Sequence, residues 1–386
     1  MQSQSGRSNL HPAIFAIAGA LIGTTAWSGH HNLLFVLLAL PLLLRAAATP
    51  SQLAETILAY NAGATWPLVP GAHVFFGQAF HPFDTLLLWA VAIIVLSLPW
   101  ILIGRIRLGF GIPLALAIGL VLPTGIENPL TVAGVLFPAT AWFGLALALI
   151  VFGMIAERPR QTLAVAFVVS LFCHVARPGS PAIPAGWSGV DTSFGGSGMM
   201  AASPLNLYQT AVSIQSRALA SSATATVFPE SVVRSWNEST DLFWEPTFAE
   251  LRRRGQTIIV GATVTRSGRN RYRNILILRG AHTATFEQRV PVPYAMWNPL
   301  AGEGVEIHPN GPAVFDLNGQ RVAPIICYEQ FLGGPVLLSM LHRPSVILAV
   351  ANDYWAKGTT IPAIQSESID AWSRLFWVPA VKAINQ

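Results

Sequence analysis

Residues 130–156 read LTVAGVLFPATAWFGLALALIVFGMIA, a stretch of 27 residues without a single charged side chain. A helix needs about 20 mainly apolar residues to cross a bilayer, so this stretch is long enough to span a membrane. Comparable apolar stretches lie on both sides of it, between positions 12 and 175. The sequence therefore predicts a helical membrane domain at residues 1–176.

Six stretches are predicted to span the bilayer: Pro12–Trp27, Leu33–Ala48, Asp84–Gly104, Leu108–Pro123, Leu130–Ala156 and Leu163–Val175. A seventh, Leu53–Phe76, is weaker because it contains polar residues and prolines. Basic residues mark the cytoplasmic side of a membrane. Arginines occur near the ends of the spans at positions 7, 45, 105, 107, 158 and 160. All of them lie on the same side of the membrane if the seventh stretch also crosses it, and not otherwise. We therefore predict about seven helices in a bacterial inner membrane, with the remaining domain in the periplasm.

The rest of the chain has a different composition. Only 11% of all residues are charged, against about 25% in ordinary soluble domains, but charged and turn residues reach normal density after position 176. Residues 177–202 are rich in Pro, Gly and Ser and predict a linker. Strands and helices alternate in 203–386, with a strand-turn-strand hairpin around Gly268, which predicts a layered α/β domain. The strands are Ala223–Val227, Thr257–Thr265, Asn274–Leu278, Ala313–Leu317, Val322–Cys327 and Val346–Ala351, and the helices are Thr240–Arg254 and Ala363–Leu375.

Several classes of function find no support in the composition. The net charge of +5 comes almost entirely from dispersed arginines, so no direct binding of nucleic acid is expected. The two cysteines, Cys173 and Cys327, are far apart and suggest no disulfide framework. No Cys/His spacing typical of a metal site occurs, and no cofactor is predicted. Ionisable residues within the spans are scarce, which argues against transport.

Two strand ends carry the residues most suited to chemistry. Glu230 follows a predicted strand in Val227–Ser231 (VFPES), and Cys327 follows another in Ile325–Glu329 (IICYE). Strand ends bring side chains together in a cleft, and a buried glutamate is a suitable base for a thiol nucleophile. The alternative is that Cys327 is an inert, buried apolar residue. The local sequence leaves both interpretations open.

A series of short motifs resembles the nitrilase, or carbon-nitrogen hydrolase, superfamily. The motifs are Phe228–Ser231, the strand pair Ile258–Ala262 and Asn274–Leu278, Val292–Tyr294, Gly311–Pro312 with Phe315–Asp316, Ile326–Glu329 and Asn352–Trp355. After a membrane domain, they resemble apolipoprotein N-acyltransferases in particular. The resemblance implies an αββα sandwich in the periplasm and a Glu, Lys, Cys triad that passes an acyl group from phospholipid to a lipoprotein. Glu230 would be the base, Cys327 the nucleophile and Glu329 a supporting acid.

The chain departs from that family in three places. The position of the triad lysine, five residues before Pro293, is occupied by Gln288, with Arg289 beside it. The acid expected two residues after the aromatic Tyr294 is replaced by Met296. The usual last strands and final membrane helix are expected to be missing, which would leave an exposed sheet edge that another segment or a partner could cover. With these departures, the chain resembles the TraB-type conjugal transfer proteins.

Two hypotheses follow from the sequence. In the first, Cys327 and Glu230 catalyse acyl transfer or amide hydrolysis. In the second, the cleft binds a lipid or a protein without catalysis, because the neutral Gln288 cannot supply the charge of a lysine. The partners expected in either case are membrane phospholipid and, beyond it, a lipoprotein or components of the conjugation machinery.

Overall fold

The computed structural model describes residues 11–76, 81–102, 106–122, 125–194, 203–265, 271–298 and 303–386. Its contacts group the chain into two compact units. The first comprises residues 1–181, 331–334 and 358–377, and the second comprises 182–330, 335–357 and 378–386. These bounds differ from the predicted domains, because residues 358–377 group with the N-terminal part.

The helices of the described residues begin and end as follows: α1 Pro12–Ala26, α2 Ala39–Ala46, α3 Pro50–Thr65, α4 Leu68–Phe76, α5 Pro82–Leu102, α6 Leu108–Val121, α7 Ala133–Leu136, α8 Ala141–Glu157, α9 Pro159–Ala176, α10 Pro204–Ala220, α11 Glu238–Arg253, α12 Gly333–Leu341 and α13 Ile361–Phe376. Short 3-10 helices lie directly before α2 (His31–Leu38) and α7 (Pro129–Val132). Two more begin at Cys327 (Cys327–Phe331) and at Tyr354 (Tyr354–Ala356).

Small residues allow the helices of the first unit to pack closely. Gly19 and Gly23 form a GxxxG pattern on α1, and a Cβ at either position would overlap the backbone of α3. Gly63 of α3 approaches the backbone of α1 in the same way. Such small-residue faces are typical of helices that pack in a bilayer, where close backbone approach replaces the hydrophobic effect.

Two of the described helices are long and apolar enough to cross a membrane, at Pro82–Ile101 and Pro159–Ala176. Four shorter apolar helices lie at Pro12–Ala26, His31–Ala46, Leu108–Val121 and Ala141–Glu157. The helical character of the N-terminal part is thus confirmed.

The predicted span Leu130–Ala156 is wrong as a single helix. It divides into a 3-10 turn, α7 and α8, with a break at Phe137–Thr140. Pro138 cannot donate a helical hydrogen bond, and Ala139 has a φ of +62°, outside the helical region. The weaker stretch Leu53–Phe76 is likewise divided, into α3 and α4.

The strands of the second unit are β1 Trp187–Gly189, β2 Ala225–Val227, β3 Thr257–Thr265, β4 Arg271–Gly280, β5 Ala284–Glu287, β6 Trp297–Asn298, β7 Glu303–Val305, β8 Phe315–Leu317, β9 Gln320–Ile326, β10 Val346–Asn352 and β11 Ala380–Asn385. In the described residues they form two sheets, with orders β1-β2-β3-β4-β7-β6 and β11-β10-β9-β8; β5 pairs with β4.

The two sheets pack face to face. Side chains such as Val227 and Leu276 of the larger sheet share a buried core with Ile326 and Leu348 of the smaller sheet. Helices α10 and α11 cover the other face of the larger sheet through Ile214, among others. The α/β sandwich predicted from the alternating strands is therefore present in this unit, as two facing sheets with α10 and α11 packed on the larger one.

Four predictions need correction or fall on residues that the structure does not describe. The predicted linker 177–202 contains β1, which pairs in parallel with β2 because Trp187 enters the core; its last residues, 195–202, are not among those described. The turn predicted near Gly268 and the markers Arg7 and Arg105 are also outside them. The edge of β11 is partly covered, since the Thr192 N–H donates to the Ile384 carbonyl at 2.9 Å.

Candidate active site

Glu230 lies in a tight segment after β2. The Gly261 N–H of β3 donates to the Pro229 carbonyl at 3.1 Å, and the Val233 N–H donates back to the Gly261 carbonyl at 3.1 Å. Residue 261 must be glycine, because a Cβ there would overlap the backbone at Glu230. This close approach aims Glu230 into the protein, where it is only 3% exposed.

Cys327 is the first residue after β9, where the chain turns into a 3-10 helix. Its φ of +51° is unusual for a residue with a side chain, and such backbone strain is often found at functional positions. Its thiol is buried and hydrogen-bonds to the carboxyl of Glu230. The structure therefore brings together the predicted base and the predicted nucleophile.

Asn274 of β4 organises the polar groups around Glu230. Its amide nitrogen donates to the Glu230 carboxyl and, at 2.9 Å, to the side-chain oxygen of Gln288. Its amide oxygen accepts from the Ser231 hydroxyl at 2.8 Å. The backbone N–H of Asn352 donates to the second carboxyl oxygen of Glu230 at 3.1 Å. The carboxyl thus has defined partners on both oxygens.

Gln288 faces this cluster, and both ends of its amide are occupied. Its oxygen accepts from Asn274, and its nitrogen donates to the Ile326 carbonyl at 3.1 Å. Ile326 immediately precedes Cys327, so Gln288 links the larger sheet to the strand that carries the thiol. At the position where the resembling family has its triad lysine, this chain thus has a neutral side chain that contributes two hydrogen bonds and no charge.

The carboxyl of Glu329 is held by backbone N–H groups and by Arg289. One of its oxygens accepts from the N–H groups of Arg289 and Val290, at 2.7 and 2.9 Å. The other accepts from the Ile326 N–H at 3.0 Å and lies 3.7 Å from the Arg289 guanidinium. Both side chains are at most 1% exposed. This buried ion pair fixes the backbone before Cys327 relative to residues 289–290.

Comparison with known proteins identifies the family. No protein-family model matches the chain. The conjugal transfer protein TraB of Agrobacterium fabrum is 32% identical over 409 residues, covering 99% of this chain and 95% of the relative. The probable conjugal transfer protein TraB of Sinorhizobium fredii is 32% identical over 396 residues, covering 98% of this chain and 99% of the relative. The chain belongs to the TraB family of conjugal transfer proteins.

Two solved structures that are similar to part of the chain are amidases. An amidase from Nesterenkonia sp. aligns with a TM-score of 0.37 and 14% identity, covering 53% of this chain and 79% of the amidase. An alanine mutant of the Nesterenkonia AN1 amidase, from the nitrilase superfamily, aligns with a TM-score of 0.36 and 13% identity, with the same coverage.

The site of this TraB family member is dominated by acidic groups. Burial raises the pKa of Glu230 to about 7, although hydrogen bonds from Cys327, Asn274 and the Asn352 N–H oppose the rise. Burial and the charge of Glu230 also raise the pKa of Asp353. Burial, followed by the charges of Glu230 and Asp353, raises the pKa of the Cys327 thiol well above its usual value. The thiol therefore favours its protonated form, and the carboxyl hydrogen-bonded to it is that of Glu230.

Sequence reasoning missed the roles of Asn274, Asn352 and Asp353. The sequence could have indicated Asn274, because this amide begins the otherwise apolar run Asn274–Leu278 and is buried. A buried polar side chain needs hydrogen-bond partners.

The described residues contain no group of three or more His, Cys, Asp or Glu side chains suited to a metal ion.

Proposed function

We propose that this chain is a multi-pass inner-membrane protein of plasmid conjugal transfer, with its C-terminal domain in the periplasm. The two near-full-length relatives named as TraB proteins support the role in conjugation. Large apolar side chains such as Phe110, Phe143 and Phe172 are about 70% exposed on the helical unit, which suits contact with lipid tails. About seven spans, with arginines such as Arg45 and Arg158 on the cytoplasmic side, give the proposed topology.

The proposed chemistry is acyl transfer through Cys327. Its main support is the hydrogen bond between the thiol and the buried carboxyl of Glu230, whose pKa is about 7. In the forward step, the Glu230 carboxylate takes the thiol proton while the sulfur attacks an ester carbonyl of a phospholipid. The leaving alkoxide takes that proton, and a thioester remains on Cys327. An amine of a lipoprotein or of a conjugation component would then attack the thioester carbonyl and form an amide. Glu230 would take the amine proton and return it to the departing sulfur of Cys327.

A second candidate is a cleft that binds lipid or protein without turnover. Gln288 supports it, because the amide has no charge and both of its ends are already hydrogen-bonded. A charged partner near a developing oxyanion commonly contributes a factor of about 10² or more in rate. The raised pKa of the Cys327 thiol also reduces the fraction of nucleophilic thiolate.

Intact-mass measurement distinguishes the two candidates. The detergent-solubilised chain is incubated with phospholipid, and the mass of the wild type is compared with those of Cys327→Ala and Cys173→Ala. Acyl transfer predicts an adduct of one acyl group on the wild type and on Cys173→Ala, absent from Cys327→Ala. If no adduct forms, and plasmid transfer is unaffected by Cys327→Ala but lost on deletion of the gene, the binding function is the correct one.

A further inference from the structure

Strand β10 extends two residues beyond the last position at which it pairs with β9. The last register partners are Val350 and Ile326, and the chain of β9 turns away at Cys327. The N–H of Asn352 at the end of β10 donates instead to the Glu230 carboxyl at 3.1 Å and to the sulfur of Cys327. One backbone N–H thus contacts both the candidate base and the candidate nucleophile.

The side chain of Asn352 is held from the other side by Asn385 of β11. The two residues are register partners in the parallel pair of β10 and β11. The amide nitrogen of Asn385 donates to the amide oxygen of Asn352 at 2.8 Å. The backbone supports this contact, because the Asp353 N–H donates to the Asn385 carbonyl at 2.7 Å. The end of β10 is therefore attached to β11 by a side chain and by the backbone.

The orientation of the Asn385 amide is determined by its other partners. This side chain is buried, and its oxygen accepts from the Thr192 hydroxyl at 2.7 Å and from the Phe194 N–H at 2.8 Å. A backbone N–H can only donate, so the oxygen must face Phe194 and the nitrogen must face Asn352. The reverse orientation would place the NH₂ group of a buried amide against another donor.

We propose that Asn385 is a positioning residue for the candidate site, because it holds the Asn352 N–H against the Glu230 carboxyl. The proposal deepens the proposed acyl transfer and rests on Glu230 as its base. Burial raises the pKa of the Glu230 carboxyl and of the Cys327 thiol, and the hydrogen bond from Asn352 opposes the rise in each. A backbone N–H thus supplies part of the stabilisation of negative charge that the neutral Gln288 does not supply.

The test is the rate at which iodoacetamide alkylates Cys327 in the full chain in detergent, measured by peptide mass spectrometry from about pH 6 to about pH 9. Asn385→Ala should slow alkylation at pH 7.5 about threefold to fivefold and move the midpoint of the pH profile upward by about one unit. Weakening a hydrogen bond to a charged group raises the pKa of its acceptor. A thiol with a higher pKa has less thiolate, although each thiolate is somewhat more nucleophilic.

A purely structural role for Asn385 predicts a different result. Loosening of the chain around β11 would expose the buried thiol of Cys327 and would accelerate its alkylation. The other titratable groups that act on the pair are unchanged in this comparison. They are Tyr272 of β4, Glu329 after β9, whose carboxyl pairs with Arg289, and Asp353 after β10.

Two further variants complete the test. Asn352→Ala keeps the N–H and removes the oxygen that accepts from Asn385, so it should slow alkylation to the same extent, and it also serves if Asn385→Ala does not fold. The double variant should be no slower than either single one. Thr247→Val is the matched control, because it removes a hydroxyl bonded to Gln215 at 2.9 Å between α11 and α10 and should leave the rate unchanged.

The result does not depend on acyl transfer, because iodoacetamide reacts with the thiol without phospholipid. Slower alkylation of Asn385→Ala and Asn352→Ala would support the positioning role even if the wild type forms no acyl adduct, in which case the proposed acyl transfer alone fails. An unchanged or faster rate in both variants would overturn the positioning role, whether or not the wild type forms that adduct.

Discussion

Replacing Glu230 by glutamine should change how the stability of the protein depends on pH. The carboxyl is 3% exposed, and its pKa is about 7 in the folded protein against 4.5 for an ordinary glutamate. The folded state therefore binds this proton more tightly than the unfolded state. Its stabilising effect is fully present below pH 4.5 and is lost as the pH rises through 7, a total of about 3 kcal/mol at 1.36 kcal/mol per pH unit.

The substitution also has an effect that does not depend on pH. Glutamine can still accept from Asn274, but its amide nitrogen cannot accept from the Asn352 N–H as the Glu230 oxygen does. The lost hydrogen bond costs about 1 kcal/mol at every pH. The informative quantity is therefore the change in stability between two pH values rather than the stability at either one.

Melting temperatures at pH 5 and pH 8 provide the assay. Over this interval the Glu230 carboxyl accounts for about 2.5 kcal/mol, or about 5–10 °C in melting temperature for a unit of this size. Wild type should lose that much more than Glu230→Gln between the two pH values. Removing the charge of Glu230 also relieves Asp353, which acts in the same direction. Glu250→Gln is the control: Glu250 is partly exposed and paired with arginines, its pKa is about 2, and it stays ionised throughout. Equal losses in wild type and Glu230→Gln would refute the reasoning.

Three further substitutions test the site. Gln288→Lys should lower the pKa of the Cys327 thiol and accelerate its alkylation by iodoacetamide at pH 7.5 about tenfold or more; peptide mass spectrometry measures the rate, and an equal rate in Gln288→Met would contradict it. Glu329→Gln leaves the Arg289 guanidinium buried without its counter-charge and should lower the unfolding free energy by about 3–5 kcal/mol, measured by denaturant titration; a loss under 1 kcal/mol would be inconsistent with a buried pair. Gly261→Ala should abolish a folded second unit, as seen by protease resistance, because its Cβ would overlap the backbone after β2.

The sequence was sufficient for local structure wherever one periodicity dominated. Strand β3 has the predicted limits, Thr257–Thr265, because a run of β-branched residues ends at turn residues on both sides. Helix α11 begins two residues before the predicted Thr240, since Asn237 caps it through a hydrogen bond to the Thr240 N–H. The broken helix at Pro138 could have been predicted from that proline. Hydropathy alone concealed it.

The sequence indicated Glu230 and Cys327 as candidate site residues, but not the hydrogen bonds that hold the side chains around them. Strand ends indicated Glu230 and Cys327, and their hydrogen bond agrees with that reasoning. The position of Glu329 could not be predicted, because it depends on how residues 289–290 approach β9 across the sandwich. Adjacent residues of an extended segment point in opposite directions, and Gln288 and Arg289 do have separate partners. Which direction each would take required the packing of both sheets.

The neutral residue at position 288 connects stability with reactivity. Burial raises the pKa of Glu230 to about 7, and the neutral Gln288 supplies no charge to oppose that rise. Below that pH the carboxyl is mostly protonated and cannot take the proton of Cys327. Above that pH it can act as a base, but the fold has then lost the stabilisation of about 3 kcal/mol that the neutral carboxyl provided. A lysine ammonium would lower both pKa values and remove this opposition. In this chain, the carboxyl form that favours folding is the one that cannot activate the thiol, which is the kind of conflict expected at a functional site.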